Sequence, residues 1–236
     1  MRRLLLLGIL LVFCSSSFAQ KTSEDQKVSY YVVDQKKANI ALFLKDSSGD
    51  FINNFTNLKD ILKKKKKKLI FATNSGIFMQ NYTPLGLHVE KGRQIRRLNN
   101  RKSGYGNFYM KPNGVFYIKN DNSAGVCKTI DYKASDIKYA SQSGPILIID
   151  GKINPAFRKG SKHAHIRNGV GVLEDGKIVF AISEEQLSFY EFAAFFKKMG
   201  CKSALYFDGS ISAVYYSIYD YYTDESDFAG MWAVWE

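Results

Sequence analysis

Histidine, cysteine and proline are scarce in this chain, and each shortage removes a class of chemistry or architecture. Its 236 residues include 3 histidines, 3 cysteines and 4 prolines. His163 and His165 stand two apart, as neighbours on one strand face would, but a zinc site needs a third and usually a fourth ligand at suitable spacing. His88 is the remaining histidine and no Cys-x-x-Cys occurs, so no metal site is read from the sequence and no cofactor is expected. A hard cation held by Asp208 and carbonyl oxygens stays open. Also missing are the Gly-x-Ser-x-Gly nucleophile elbow, the Gly-x-x-x-x-Gly-Lys-Ser/Thr phosphate loop and the dinucleotide fingerprint. Without low-complexity linkers or internal repeats, nothing divides the chain into several domains.

Long apolar runs are missing beyond the first residues. Arg2 and Arg3, the apolar stretch 4–13 and the small-x-small Ser17-Phe18-Ala19 before Gln20 read as a cleavable signal peptide, 1–19. The run is too short to cross a bilayer, so no transmembrane segment is expected. The predicted product is a secreted or periplasmic protein with one domain over 20–236. Export makes Cys127 and Cys201 an even pair in an oxidising compartment, either bridged or left as two buried thiols.

Acidic residues are outnumbered, 22 against 34 basic ones, for a net charge of +12. That balance suits phosphates or acidic glycans. The lysine run at 63–68 reads as a solvated helix end or loop. No aromatic residue interleaves it, so base stacking is unsupported and nucleic acid is not an expected partner.

What is present is strand and turn. Stretches 28–33, 40–44 and 69–73 read as strands, and 56–62 as a short helix. Hairpins are predicted about Lys91-Gly92, Pro112-Asn113-Gly114, Asp150-Gly151 and Asp175-Gly176. The Pro112 hairpin would pair 107–111 with 115–118. One helix is well specified: Ser188 and Glu191 have capping-box spacing, and Phe189, Phe192, Ala193, Phe196 and Met199 share a face. Gly200 can supply its left-handed terminus. The strand–helix–strand order around it, in a chain full of hairpins, predicts an α+β single domain with a mixed, hairpin-rich sheet and a few packed helices.

Three apolar strands end in small polar turns, at Asn74-Ser75-Gly76, Gln142-Ser143-Gly144-Pro145 and Asp208-Gly209-Ser210-Ile211-Ser212. Asp208 therefore comes to the rim of a sheet with slim neighbours, as a reactive carboxylate or as an ordinary Asp-Gly turn. In order, Asn74-Ser75-Gly76-Ile77-Phe78, Pro84-Leu85-Gly86-Leu87, Gly106-Asn107-Phe108, Gln142-Ser143-Gly144-Pro145, Arg167-Asn168-Gly169-Val170-Gly171 and Asp208-Gly209-Ser210 resemble the motifs of the phosphodiester glycosidase family. The resemblance covers roughly 65–236. Ser210 and Ile211 stand where another branch of that family has two glycines.

The resemblance implies hydrolysis of a sugar-1-phosphodiester, a small molecule or a glycan. Asp208 would be the catalytic carboxylate and Arg167 the phosphate clamp, its forked donors matching two oxygens. Glu184, after the strand 178–182, is the candidate second acid that glycosyl hydrolysis normally needs. Asn74, Gly76, Gln142, Ser143, Gly144, Gly209 and Ser212 would shape the substrate pocket. A non-catalytic exported glycan- or phosphate-binding protein is the alternative. The sequence does not specify an oligomeric state.

Overall fold

The computed structural model describes residues 27–208, 210–218, 221–222 and 226–236. The expected signal peptide, Gly209 and Tyr219 lie outside them. The chain opens with strands β1 (Val28–Val33) and β2 (Asn39–Phe43), helix α1 (Phe55–Lys64) and strand β3 (Leu69–Asn74). Strands β4 (His88–Glu90), β5 (Arg93–Arg96), β6 (Gly114–Lys119), β7 (Ala124–Lys128), β8 (Ile137–Ser143), β9 (Ile146–Ile149) and β10 (Lys152–Ile153) follow. Then come β11 (Asn168–Leu173), β12 (Ile178–Ser183), helix α2 (Phe189–Lys198), β13 (Cys201–Tyr206), β14 (Val214–Tyr216), β15 (Tyr221–Tyr222) and β16 (Met231–Trp235).

These strands form three sheets, ordered β1-β12-β11-β13-β9-β10, β15-β14-β3-β16-β2 and β5-β4-β8-β6-β7. Every pairing among the described residues is antiparallel, which corrects the expected mixed sheet. The reason is local. β12 and β13, joined through α2, do run the same way, but β11 lies between them and pairs antiparallel with both. A helical crossover thus brings two parallel strands together without a parallel ladder.

The Pro112 hairpin is a second correction. Residues 107–109 form a short 3-10 turn, and the buried Asn113 side chain donates to the Phe108 carbonyl at 3.0 Å. β6 instead pairs with β7 and β8. The other three predicted turns join β4 to β5, β9 to β10 and β11 to β12.

The sheets enclose a common core in which Phe116, Phe180, Phe207, Phe71 and Trp232 meet. Trp232 is fully buried in the C-terminal strand, which runs centrally between β3 and β2, and its Nε1 donates to Ser141 Oγ at 3.0 Å. α1 covers the outer face of the second sheet through Phe55, Leu58 and Leu62, and α2 covers the outer face of the first. Among the described residues no helix is long and apolar enough to cross a membrane.

The helix α2 is held at its start by the anticipated capping box: Ser188 N–H donates to Glu191 Oε2 at 2.9 Å, and Glu191 N–H returns to Ser188 Oγ at 3.3 Å. Phe192, Ala193 and Phe196 are wholly buried under α2, and Phe192 and Phe196 reach over β11. They fit because β11 has glycine where it faces them. A Cβ on Gly171 would stand 2.6 Å from Cys201 Sγ and 2.7 Å from Phe196, and one on Gly169 2.6 Å from the Leu205 carbonyl.

Cys127 and Cys201 are free thiols. Burial pushes the Cys127 thiol up to about 11, with Asp131 adding to the shift, and burial pushes Cys201 to about 12. Both are therefore poor nucleophiles in the folded protein. Iodoacetamide at about pH 8 is expected to leave Cys127 and Cys201 unmodified until denaturant is added, as peptide mass spectrometry would read. The packing of α2 gives a second expectation: Gly171→Val should destabilise the fold by roughly 1–3 kcal/mol through overpacking, measured as a lower urea midpoint.

Candidate functional site

The polar turns seen in the sequence meet at one junction of the three sheets, and a single amide ties two of them together. Asn168 opens β11 and is completely buried. Its Nδ2 donates to Asn74 Oδ1 at 2.6 Å and to Thr73 Oγ1 at 3.0 Å, both at the end of β3 in the second sheet. Its Oδ1 accepts from Asp208 N–H at 3.2 Å and from Ser212 Oγ at 3.4 Å. Asn74 completes the link. It donates to the Ile211 carbonyl at 2.7 Å and accepts from Ala213 N–H at 2.9 Å, fixing both sides of the turn after Asp208.

Asp208 itself is 5 % exposed at the end of β13, and its Oδ1 accepts from Ser210 N–H at 2.9 Å. Ser212 Oγ donates to the Asp208 carbonyl at 2.6 Å, so the turn closes on itself. Ser143, from the third sheet, donates to the Phe207 carbonyl at 2.6 Å, one residue before the carboxylate. Gly76 packs on Ser143: with φ at +144° it suits glycine, and a Cβ there would lie 3.3 Å from Ser143 Cβ. Hence Asn74, Gly76, Ser143, Asp208 and Ser212 converge.

Two other predicted pocket residues hold the scaffold. Gln142 Oε1 accepts from the Leu87 and Asn99 N–H groups, and its Nε2 donates to the Asn99 carbonyl and Thr129 Oγ1, so its side chain is engaged in the third sheet. Gly144 leaves room for Asn113, whose Cβ would lie 2.5 Å from an added Cβ. Glu184 is exposed beyond β12 and accepts from Ser29 Oγ on β1. Tyr215 and Tyr216 are buried against the two faces of their sheet.

Arg167 turns the other way from its neighbour Asn168. Its guanidinium carbon lies 3.8 Å from the Phe189 ring centroid and 5.4 Å from that of Tyr206. Nε donates to the Leu187 carbonyl at 2.6 Å and one terminal nitrogen to the His163 carbonyl at 3.0 Å. The remaining nitrogen, Nη1, is buried and has no hydrogen-bond partner among the described residues. Burial lowers the Arg167 pKa, against an opposing effect of Tyr206, yet a guanidinium keeps its charge at neutral pH. Burial raises the Tyr206 pKa; Arg167 opposes this and the Asp208 carboxylate adds to it, so this ring lies within the electrostatic reach of both candidates.

A cleft of about 450 Å³ is lined by Arg167 together with Arg158, His163, His165, Phe189 and Tyr190. No carboxylate lines it. A buried, incompletely bonded cation in such a cleft is suited to an anion.

A family model described as phosphodiester glycosidase matches residues 67–234, a span that takes in Asn74, Ser143, Arg167 and Asp208. The chain belongs to the phosphodiester glycosidase family. It is 42% identical over 146 residues to the Escherichia coli (strain K12) protein YigE, described as uncharacterized; the match spans 61% of this chain and 57% of that protein. The catalytic domain of zebrafish N-acetylglucosamine-1-phosphodiester alpha-N-acetylglucosaminidase, auto-inhibited by its pro-peptide, is similar in structure. It has a TM-score of 0.61 and 17% identity, over 88% of this chain and 76% of that one. A hypothetical protein from Synechocystis is similar at a TM-score of 0.54 and 15% identity, over 88% of this chain and 59% of that one. At these identities the likeness is one of fold.

Sequence reasoning does not single out two residues next to Asp208. Asn168 enters it only within a motif, and Tyr206 not at all. An asparagine opening a Gly-Val-Gly-Val strand was the available signal for the first, since a buried amide there needs partners. Asn168→Leu, of similar volume, should cost about 1–3 kcal/mol for each buried partner left unsatisfied, read from the urea midpoint.

Proposed function

We propose that the protein is an exported hydrolase that cleaves the glycosidic bond of a sugar-1-phosphodiester, releasing the sugar and a phosphomonoester. The observation that carries this reading is the placement of Asp208. A carboxylate on a turn held from both sides by Asn168 and Asn74 keeps its position while bonds around it change. Membership of the phosphodiester glycosidase family and the anion-suited cleft at Arg167 support it.

In this mechanism the phosphate lies toward the positive charge of Arg167, and a shift of the side chains around the buried Nη1 lets that nitrogen donate to a phosphate oxygen. Asp208 faces the anomeric carbon and stabilises the positive charge that develops as the carbon–oxygen bond breaks. The bonding electrons leave with the phosphate oxygen, water supplies the hydroxyl that the sugar carries away, and the water's proton passes to the departing phosphate or to solvent. A phosphate is a weakly basic leaving group and needs little protonation. One carboxylate with cationic clamping is therefore enough, and Glu184, committed to Ser29, has no required part.

Asp208→Asn preserves shape and the acceptor for Ser210 N–H while removing the charge. Turnover of a synthetic sugar-1-phosphodiester should fall by about 10²–10⁴-fold with the melting temperature nearly unchanged. Full activity in this variant would end the assignment. Saturable binding by the wild-type protein without sugar release would favour a binding protein instead.

A further inference from the structure

A second cleft lies away from the junction. It runs along β2, the outermost strand of its sheet, between α1 and the β4–β5 hairpin, and has a volume of about 590 Å³. Phe43, Ile52, Ile61, Ile95, Tyr139 and Trp235 contribute its apolar lining. Lys45, Lys65, Lys67, Lys91 and Arg93 stand around it against only two carboxylates, Asp46 and Glu90. Both carboxylates have other work: Asp46 accepts from Ser48 and Asp50 N–H groups, and Glu90 is bonded to His88 at 2.8 Å. The six-lysine run 63–68 extends the cationic rim, and all six are exposed.

One detail points to an amphiphilic occupant. Lys67 lies 5.0 Å over the half-buried Trp235 ring. An indole face beside lysines matches the boundary between lipid headgroups and acyl chains. A soluble polyanion would engage the lysines and leave the apolar lining in water. An anionic lipid surface satisfies both.

We infer that this face docks on an anionic phospholipid bilayer, the lysines over the headgroups and the apolar cleft over the glycerol and upper acyl region of one lipid. The inference does not depend on the proposed hydrolysis.

Sedimentation with vesicles of phosphatidylglycerol and phosphatidylcholine tests it. Binding should appear with the mixed vesicles, weaken with salt, and vanish with phosphatidylcholine alone. Each lysine near the surface is worth roughly fivefold in affinity, so Lys65→Glu/Lys67→Glu/Lys91→Glu should lose at least about 100-fold. These side chains are exposed, and the melting temperature checks the fold; should that variant unfold, Lys65→Ala/Lys91→Ala is expected to lose about 25-fold. Ile95→Ser should weaken the part of the binding that survives at high salt. The proposal fails if wild-type protein does not bind anionic vesicles, if the charge variants bind undiminished, or if duplex DNA competes as well as anionic vesicles at equal charge.

Discussion

The Asn168 side chain is the interaction on which this structure turns. One amide, buried between two sheets, donates to the end of β3 and accepts from the turn after β13. Water is shut out there, so none of these groups has a replacement partner, and the amide gains in strength what it would lose if any member were missing. The polar junction also sets the spacing of the sheets around it. Beside it the aromatic core of Phe71, Phe180 and Trp232 packs between the same sheets.

A strand sends successive side chains to opposite faces, and β11 uses this at its first step. Asn168 faces inward to Asn74, while the preceding Arg167 faces the α2 side, stacked on Phe189. One short segment thereby supplies both the fastener of the scaffold and the cation of the cleft. The glycines that follow, Gly169 and Gly171, let α2 settle close enough to bring Phe189 over the guanidinium. Arg167 is partly structural as a result: two of its nitrogens hold the His163 and Leu187 carbonyls, and the third, Nη1, is buried without a hydrogen-bond partner among the described residues.

Charge is divided along the molecule in a way that mirrors this economy. The lysine run lies at the start of β3 and the polar junction at its end, while the cleft follows β2 past Phe43, which is level with Asn74 across β16. No residue lining that cleft belongs to the junction, so a change of charge there can leave the junction intact.

Much of the local structure was legible in the chain. The capping box at Ser188, the strand ending in Asp208 and the Asp175-Gly176 turn depend on neighbours in sequence, and the structure has them where local rules put them. The order of small polar turns likewise carried the family. Interactions between distant segments were not legible. Asn113 became a buried support because Phe108 and β8 surround it, and the strong turn signal at Pro112 yielded to that packing. The sheet is antiparallel because β11 lies between β12 and β13, a choice made by partners far apart in the chain. Gln142 and Glu184 looked like site residues from their positions beside strand ends, yet their partners, Leu87, Asn99 and Ser29, come from elsewhere. Sequence alone determined which segments become strands and helices, and that Asp208 would end one of them, because those outcomes follow from local propensity and alternation. Only the tertiary structure decided which polar turns meet, since burial makes a hydrogen-bond partner obligatory and the partner is chosen across sheets.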